Sequence, residues 1–327
     1  IKSIVLARID QLESIDKIAL RAASILGQRF DLDGLRHLVD RADYQCQALL
    51  EHHLERPDGA FFMFTHALIQ GGIYASLLRN QRNELHRKAA DWYQATDYIL
   101  HAQHLDRAGD GSAVDAYLKA AQRESALYRP ERALQLVRRG LEIAPEDESF
   151  ALRCLEGELL RIHGDIASSI EAYRNATSVA SGEVGRCEAW VGMAEGLAVT
   201  GEHREALDLL GKALEVALEH KLLLEHARIY RIMGKVHFYR GQIEACLEAN
   251  NLSLEFARAA GSVEVEAQAL SGLANAEYNR GRFLSAQDYF DQCIELARAH
   301  ALGRIIAANL SMRSYVSCWQ GSIESAI

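Results

Sequence analysis

Between residues 157 and 326 one pattern of small side chains returns at a nearly constant interval, and it restricts the chain to stacked helical hairpins. A glycine followed by a polar residue stands at Gly164-Asp165, Gly201-Glu202, Gly241-Gln242, Gly281-Arg282 and Gly321-Ser322, at intervals of 37, 40, 40 and 40 residues. Five positions after these glycines come Ser169, Ala206, Cys246, Ala286 and Ala326. Twelve after stand Ala176, Ala213, Ser253 and Cys293, and sixteen after stand Ala180, Ala217, Ala257 and Ala297. Seven before are Gly157, Ala194, Gly234, Ala274 and Ser314. Columns of small residues held in phase in this way belong to antiparallel helix pairs whose backbones touch. Each glycine ends a first helix, A, and the following stretch forms a second, B. An α-solenoid is expected over at least half of the chain, and such a surface binds rather than catalyses.

Composition agrees with helix throughout. Three prolines in 327 residues are too few for a turn-rich sheet protein. The six cysteines, Cys46, Cys154, Cys187, Cys246, Cys293 and Cys318, form no Cys-x-x-Cys pair, and Cys246 and Cys293 sit where the repeat requires a small residue. They are read as packing residues, not as metal ligands or disulfides. No apolar run of membrane-spanning length and no basic-then-apolar leader is found, so a cytoplasmic protein with no membrane contact is expected. Residues 1–95 carry twelve basic and twelve acidic side chains, and the remaining 24 basic and 33 acidic residues account for the net charge of −9. Neither part carries the basic stripe of a nucleic-acid binder, and Arg79, Arg82, Arg87 and Lys88 read as a solvated helix face.

The repeat pattern resembles the tetratricopeptide repeat (TPR): a small residue in mid helix A, the turn glycine, and two alanine-type positions in helix B. The bulky helix B position is kept by Tyr173, Leu210 and Phe290, while Asn250 departs from it. The period is about six residues longer than the ~34 of the standard repeat, which implies longer helices. A degenerate first repeat is expected around Ala121, Ala133, Gly140 and Ala144, with Tyr128 where the turn glycine belongs.

The N-terminal part reads as small helices followed by a turn and a strand. Helices are expected over residues 3–12, from Ser14 to a stop at Gly27, after an Asp31 cap, and from about Asp43 to Leu54; Arg56-Pro57-Asp58-Gly59 is a turn signal and Phe61 to Phe64 a short strand. Two segments here, Ala23-Ser24-Ile25-Leu26-Gly27-Gln28-Arg29-Phe30 and Phe64-Thr65-His66-Ala67-Leu68-Ile69-Gln70 continuing to Tyr74 and Leu78, resemble the region after the ATPase core of bacterial STAND-type signalling NTPases, in particular those linked to nucleotide cyclases or LuxR-like regulators. The resemblance covers residues 1 to about 145. It implies an all-α fold, a TPR-type α-solenoid superhelix preceded by a small winged-helix-like helical domain. The expected boundaries are a winged-helix-like domain at 1–95, bridging helices and the degenerate repeat at 96–145, and TPR repeats at 146–327. Because the chain starts at Ile1 and stops within a helix B, it is expected to be a segment of a larger protein.

No phosphate-loop motif (Gly-x-x-x-x-Gly-Lys-Ser/Thr) is present. No cofactor, metal site or catalytic set is assigned to this chain, and ATP or ADP is expected only in an upstream NTPase domain acting in cis. By the resemblance, His66 corresponds to a nucleotide-sensing histidine of the intact protein, although Thr65 and Ala67 replace its usual neighbours; the alternative is a histidine that ties strand to helix. His101 and His104 share a helical face without a third ligand in phase. The outward positions of the A helices give the expected partner groove: Arg228, Arg231, Lys235 and Tyr239, then Gln268, Asn275, Tyr278 and Asn279, then Tyr315 and Trp319. Cations beside amides and aromatics at three- and four-residue spacing suit a protein or peptide partner. The function expected is a non-catalytic sensor and scaffold of a signalling ATPase of adenylate or guanylate cyclase type. The alternative is the effector region of a LuxR- or STAND-type transcription regulator whose DNA-binding domain lies outside this chain.

Overall fold

The computed structural model describes residues 9–319, so most of the helix expected over 3–12 and the turn at Gly321 lie outside the described residues. The chain divides into two compact units, Ile1–Ala144 and Pro145–Ile327, which are described separately.

The first unit starts with α1 (Ser14–Leu26), which ends at Gly27, where φ is +119°. Strand β1 (Arg29–Phe30) follows, then α2 (Leu32–Val39), capped by the Asp31 carboxylate accepting from Gly34 N at 2.6 Å. Helix α3 is only Gln47–Glu51, not the longer helix expected from Asp43 to Leu54. Two contacts account for the difference. Tyr44 is turned inward, where its hydroxyl donates to Asp16 Oδ1 at 2.8 Å, and His53 takes a left-handed φ of +52° that releases the chain into a strand.

That strand, β2 (Glu55–Asp58), includes part of what the sequence presented as a turn, and with β3 (Phe61–Phe64) it forms a hairpin. The sheet order is β1-β3-β2, all antiparallel, with Phe30 opposite Phe62 and Glu55 opposite Phe64. Pro57 is tolerated because β2 is an edge strand, where a missing N–H leaves no ladder position open. Phe30 and Phe64 meet at 6.0 Å between ring centroids and, with Leu20, Ile25, Leu35, Leu38 and Leu49, fill the core of this part.

Helices α4 (Ala67–Ser76), α5 (Arg79–Tyr93) and α6 (Tyr98–Ala108) follow, then the pair α7 (Ala113–Ala126) and α8 (Pro130–Ile143). Tyr128, at the turn of that pair, has a φ of +58°, the left-handed conformation that glycine supplies at the later turns.

The second unit is a run of helical hairpins: α9 (Phe150–His163) with α10 (Ile166–Val179), α11 (Glu183–Thr200) with α12 (His203–Glu219), α13 (Leu223–Tyr239) with α14 (Ile243–Ala259), α15 (Val263–Asn279) with α16 (Phe283–Ala299), and then α17 (Gly303–Trp319). The fold is all-α, and this unit is a TPR-type α-solenoid. The column of small residues is its seam: Ala206, Ala213, Ala217, Ser253, Ala257, Ala286, Cys293 and Ala297 are all fully buried. Backbones approach so closely there that a side chain on one helix of a pair bonds the main chain of the other. Cys187 donates to Ala213 O at 3.4 Å, Ser253 to Ala227 O at 2.8 Å and Cys293 to Ala267 O at 3.1 Å, each across 26 residues. The A helices α9, α11, α13, α15 and α17 also touch one another in sequence, whereas the B helices make at most marginal contact, so the A side is the inner face. Among the described residues, no helix is long and apolar enough to cross a membrane.

One buried acid in the first unit gives a test of this packing. Glu55 is 2% exposed, and neither carboxylate oxygen has a hydrogen-bond partner among the described residues. Burial pushes its carboxyl up to about 8, against a smaller opposing effect of Cys46 beside it. The folded form therefore holds a proton that the unfolded chain releases, so stability falls as pH rises from the ordinary glutamate range through about 8. Glu55→Gln should flatten this dependence, leaving stability at pH 5 nearly unchanged and adding on the order of 5 kcal/mol above pH 8. Urea denaturation of both proteins across that range checks it.

Candidate functional site

The inner face of the second unit holds a cavity of about 530 Å³ between α13, α15 and α17. Its walls come from the A helices and its floor from the B helix α14, through Cys246 and Asn250. The residues expected in the groove divide around it. Arg231, Lys235, Tyr239, Gln268 and Asn275 line the cavity together. Arg228 stands apart and pairs with Glu225 at 3.0 Å. Tyr278 packs on Phe283 with ring centroids 5.7 Å apart, and Trp319 stacks on the same ring at 6.2 Å. Asn279 is exposed and donates to Asn275 O at 3.0 Å, and Tyr315 is exposed beyond the cavity.

Sequence spacing did not give the countercharge. Arg231 Nη2 lies 3.0 Å from Glu195 Oε1, and Arg161 Nε lies 3.8 Å from the other oxygen. Glu195 belongs to α11, one repeat earlier, which is why inspection of α13 alone could not find it. Burial opposes its ionisation, but Arg231, Arg161 and Lys235 together hold the carboxyl down to about 2. Burial also lowers Lys235, partly offset by Glu195. Its ammonium closes no ion pair among the described residues; its partner is the Tyr239 ring, 6.0 Å away.

The amides form an ordered set. Asn250 Nδ2 donates to Cys246 O at 2.8 Å, Asn275 Nδ2 to Ser271 O at 2.8 Å and Asn309 Nδ2 to Ile305 O at 2.8 Å, each to the carbonyl four residues back on its own helix. Each bond engages one amide N–H and leaves the carbonyl oxygen available as an acceptor. Asn309 Oδ1 takes the Ser271 hydroxyl at 2.6 Å, while those of Asn250 and Asn275 have no donor among the described residues.

Asn250 sits at the bulky helix B position, nine residues after its turn glycine, where Tyr173, Leu210 and Phe290 fill the other repeats. A Cβ on Gly234 would come within 2.4 Å of its amide, and one on Gly272 within 2.1 Å. The amide is thus flanked by two glycines and is 2% exposed.

The remaining candidates lie elsewhere. His66 follows β3 at the N-cap of α4, exposed and without a side-chain capping bond. His101 Nδ1 meets Ala90 O at 2.8 Å. His104 faces inward instead and meets His86 Nδ1 to Nδ1 at 2.8 Å, and His86 is also bonded to the Tyr74 hydroxyl at 3.0 Å. Burial and His104 push His86 well below the usual imidazole range, so this is a neutral internal pair. Glu183, Glu219 and His220 place three ligand atoms within 4.8 Å of one another, but all are exposed and Arg186 lies 3.9 Å from Glu183, so no metal is assigned there.

Comparison with known proteins gives the fold its context. No family model matches the chain. An uncharacterized protein of Rhizobium meliloti (strain 1021) is 29% identical over 178 residues, which is 47% of this chain and 17% of that protein. Among solved structures, a signal transduction ATPase with numerous domains (STAND) carrying a tetratricopeptide repeat sensor, from Pyrococcus horikoshii, aligns with a TM-score of 0.67 at 14% identity, over 97% of this chain and 50% of that one. A Rap protein complexed with Competence and Sporulation Factor aligns with a TM-score of 0.57 at 13% identity, over 76% of this chain and 68% of that one. The chain thus spans less than a fifth of its curated relative and half of the first of these structures, and the likeness establishes the TPR fold.

The ion pair below the cavity is directly testable. Glu195 stabilises the fold above its unfolded pKa, and this stabilisation is lost as pH falls from about 4.5 through about 2. Glu195→Gln should therefore cost about 3 kcal/mol at pH 7 and almost nothing near pH 2. Equilibrium unfolding of the two proteins at both pH values measures the difference.

Proposed function

We propose that this chain is the non-catalytic sensor and scaffold region of a multidomain bacterial signalling NTPase of the STAND type, in which the inner groove of the solenoid receives a protein, peptide or small effector. The observation that carries the proposal is the convergence of Lys235, Arg231, Tyr239, Gln268 and Asn275 on one cavity of a TPR array. A binding face of this kind offers charge, hydrogen bonding and apolar contact without any pair of groups suited to bond-breaking chemistry.

The N-terminal unit supports the same reading. Its order of helix, strand, two helices and two strands, with β3 between β1 and β2, supports the winged-helix-like reading. In the resembling signalling NTPases this module follows the ATPase core. His66 would then face ADP or ATP bound upstream in the intact cytoplasmic protein, as a sensor acting in cis. The Pyrococcus horikoshii protein described above is a STAND ATPase with a tetratricopeptide repeat sensor, and the likeness in fold supports this reading. The output domain we favour is a nucleotide cyclase. An effector that binds one curvature of the solenoid more tightly than another shifts the population of that curvature, and so the state of the attached switch.

Arg231 is unsuitable for testing the groove because it neutralises buried Glu195. Lys235→Gln combined with Asn275→Ala removes a cation and an acceptor while leaving that pair intact. With the immobilised chain and host lysate, wild type should retain a specific partner identified by mass spectrometry. The double variant, with an unchanged circular dichroism spectrum, should retain at least about tenfold less. Equal retention by both proteins would move the binding surface away from this groove.

A further inference from the structure

The third hairpin of the second unit departs from its neighbours at one position, and the departure leaves space. Tyr173 lies nine residues after Gly164, between Gly157 and Gly192, where a Cβ on either glycine would come within 2.6 Å and 2.3 Å of its ring. Asn250 lies nine residues after Gly241, between Gly234 and Gly272, which occupy the corresponding places seven and nine residues before their own turn glycines. The glycine pair that makes room for a tyrosine ring is therefore kept around a side chain of half the size. The remaining room is part of the cavity of about 530 Å³, within the size range of small-molecule sites.

The groups facing this space define what fits. Asn250, 2% exposed, offers a carbonyl oxygen without a donor among the described residues, and Asn275 offers another. An N–H on the ligand would satisfy these acceptors. Lys235 offers a half-buried ammonium without an ion pair, which calls for an anion. Phe238, Ile305 and Ala308 supply apolar wall for a compact body.

We propose that the cavity at Asn250 binds a free small carboxylic acid carrying an amide-type N–H and a compact apolar body, the chemistry of an N-acylated amino acid. The carboxylate meets Lys235, the N–H meets Asn250 Oδ1, and the body takes the place that a bulky side chain fills in the neighbouring repeats. The inference rests on the groove being the sensor site, and it names the effector as a small molecule and not a protein segment.

The probes are N-acetylglycine, N-acetylleucine, N-acetylphenylalanine and N-acetylglutamate at millimolar concentration, with the methyl ester of each as a control. The readout is thermal unfolding of the chain followed by titration calorimetry. At least one acid should raise the melting temperature by about 2–4 °C near saturation, and its ester, lacking the anion, should bind at least about tenfold more weakly. Asn250→Tyr transplants the Tyr173 arrangement into flanks that already accommodate it; the variant should melt no lower than wild type and lose the ligand-induced shift. Asn250→Leu keeps the space but removes the acceptor, and should weaken binding about tenfold. Absence of any shift across the panel, or equal binding to wild type and Asn250→Tyr, would overturn the proposal. Capture of a protein partner that depends on Lys235 and Asn275 but is unaffected by Asn250→Tyr would overturn it too, while leaving the sensor reading of the groove intact.

Discussion

Everything in the second unit depends on how closely its helices approach one another. Where Cys187 reaches Ala213 O, Ser253 reaches Ala227 O and Cys293 reaches Ala267 O, a polar hydrogen crosses from one helix backbone to the other with no side chain between them. The donor sits on helix A in the first case and on helix B in the other two, so the geometry is retained while the residue that uses it changes sides. Any side chain larger than serine or cysteine at these positions would force the pair apart, and overpacking of that kind costs about 1–3 kcal/mol. The constraint also explains the cysteines. Cys187, Cys246 and Cys293 are buried, with thiols raised to about 11 by burial, and they serve as small residues with a weak donor, not as reactive groups.

Because the seam demands small residues at fixed places, it was legible in the sequence. Turn glycines, alanine columns and the bulky helix B position all repeat, and Tyr128 could be placed at a turn despite being the wrong residue for its φ of +58°. The N-terminal unit has no period to read. Strand β1 is two residues long, too short to show alternation, and β2 contains Pro57, which argues for a turn unless the strand is known to lie at an edge. The helix expected to run to Leu54 is cut short by long-range contacts, Tyr44 with Asp16 among them, that no local pattern reports.

The groove was only partly legible, for the same reason. Spacing of three and four residues identifies which side chains share a helix face, and it grouped Arg231 with Lys235 and Gln268 with Asn275. It cannot say what stands opposite them. Glu195 comes from the preceding repeat and His86 meets His104 from a different helix, so both interactions belong to tertiary packing alone. Tyr278 and Trp319 have the right spacing, but Phe283 attracts both rings, and apolar stacking decides where they go.

The opposing charge changes what the groove can select. A row of cations on α13 would favour any acidic segment, with little discrimination and strong sensitivity to salt. Glu195 answers Arg231, while Lys235, which closes no ion pair among the described residues, and Arg304 also line the cavity, so the amides add direction to what charge alone would select. Three asparagines donate to their own helices, which fixes each carbonyl oxygen in direction without help from a ligand. Acceptors oriented in advance lose little entropy on binding and penalise any ligand that lacks a matching donor, so they discriminate more sharply than charge does. The equivalent helix B positions of the other hairpins carry Tyr173, Leu210 and Phe290, so Asn250 gives up packing where they keep it. On the proposed reading a ligand would replace that packing, and the exchange would distinguish a sensing repeat from one that only supports the array.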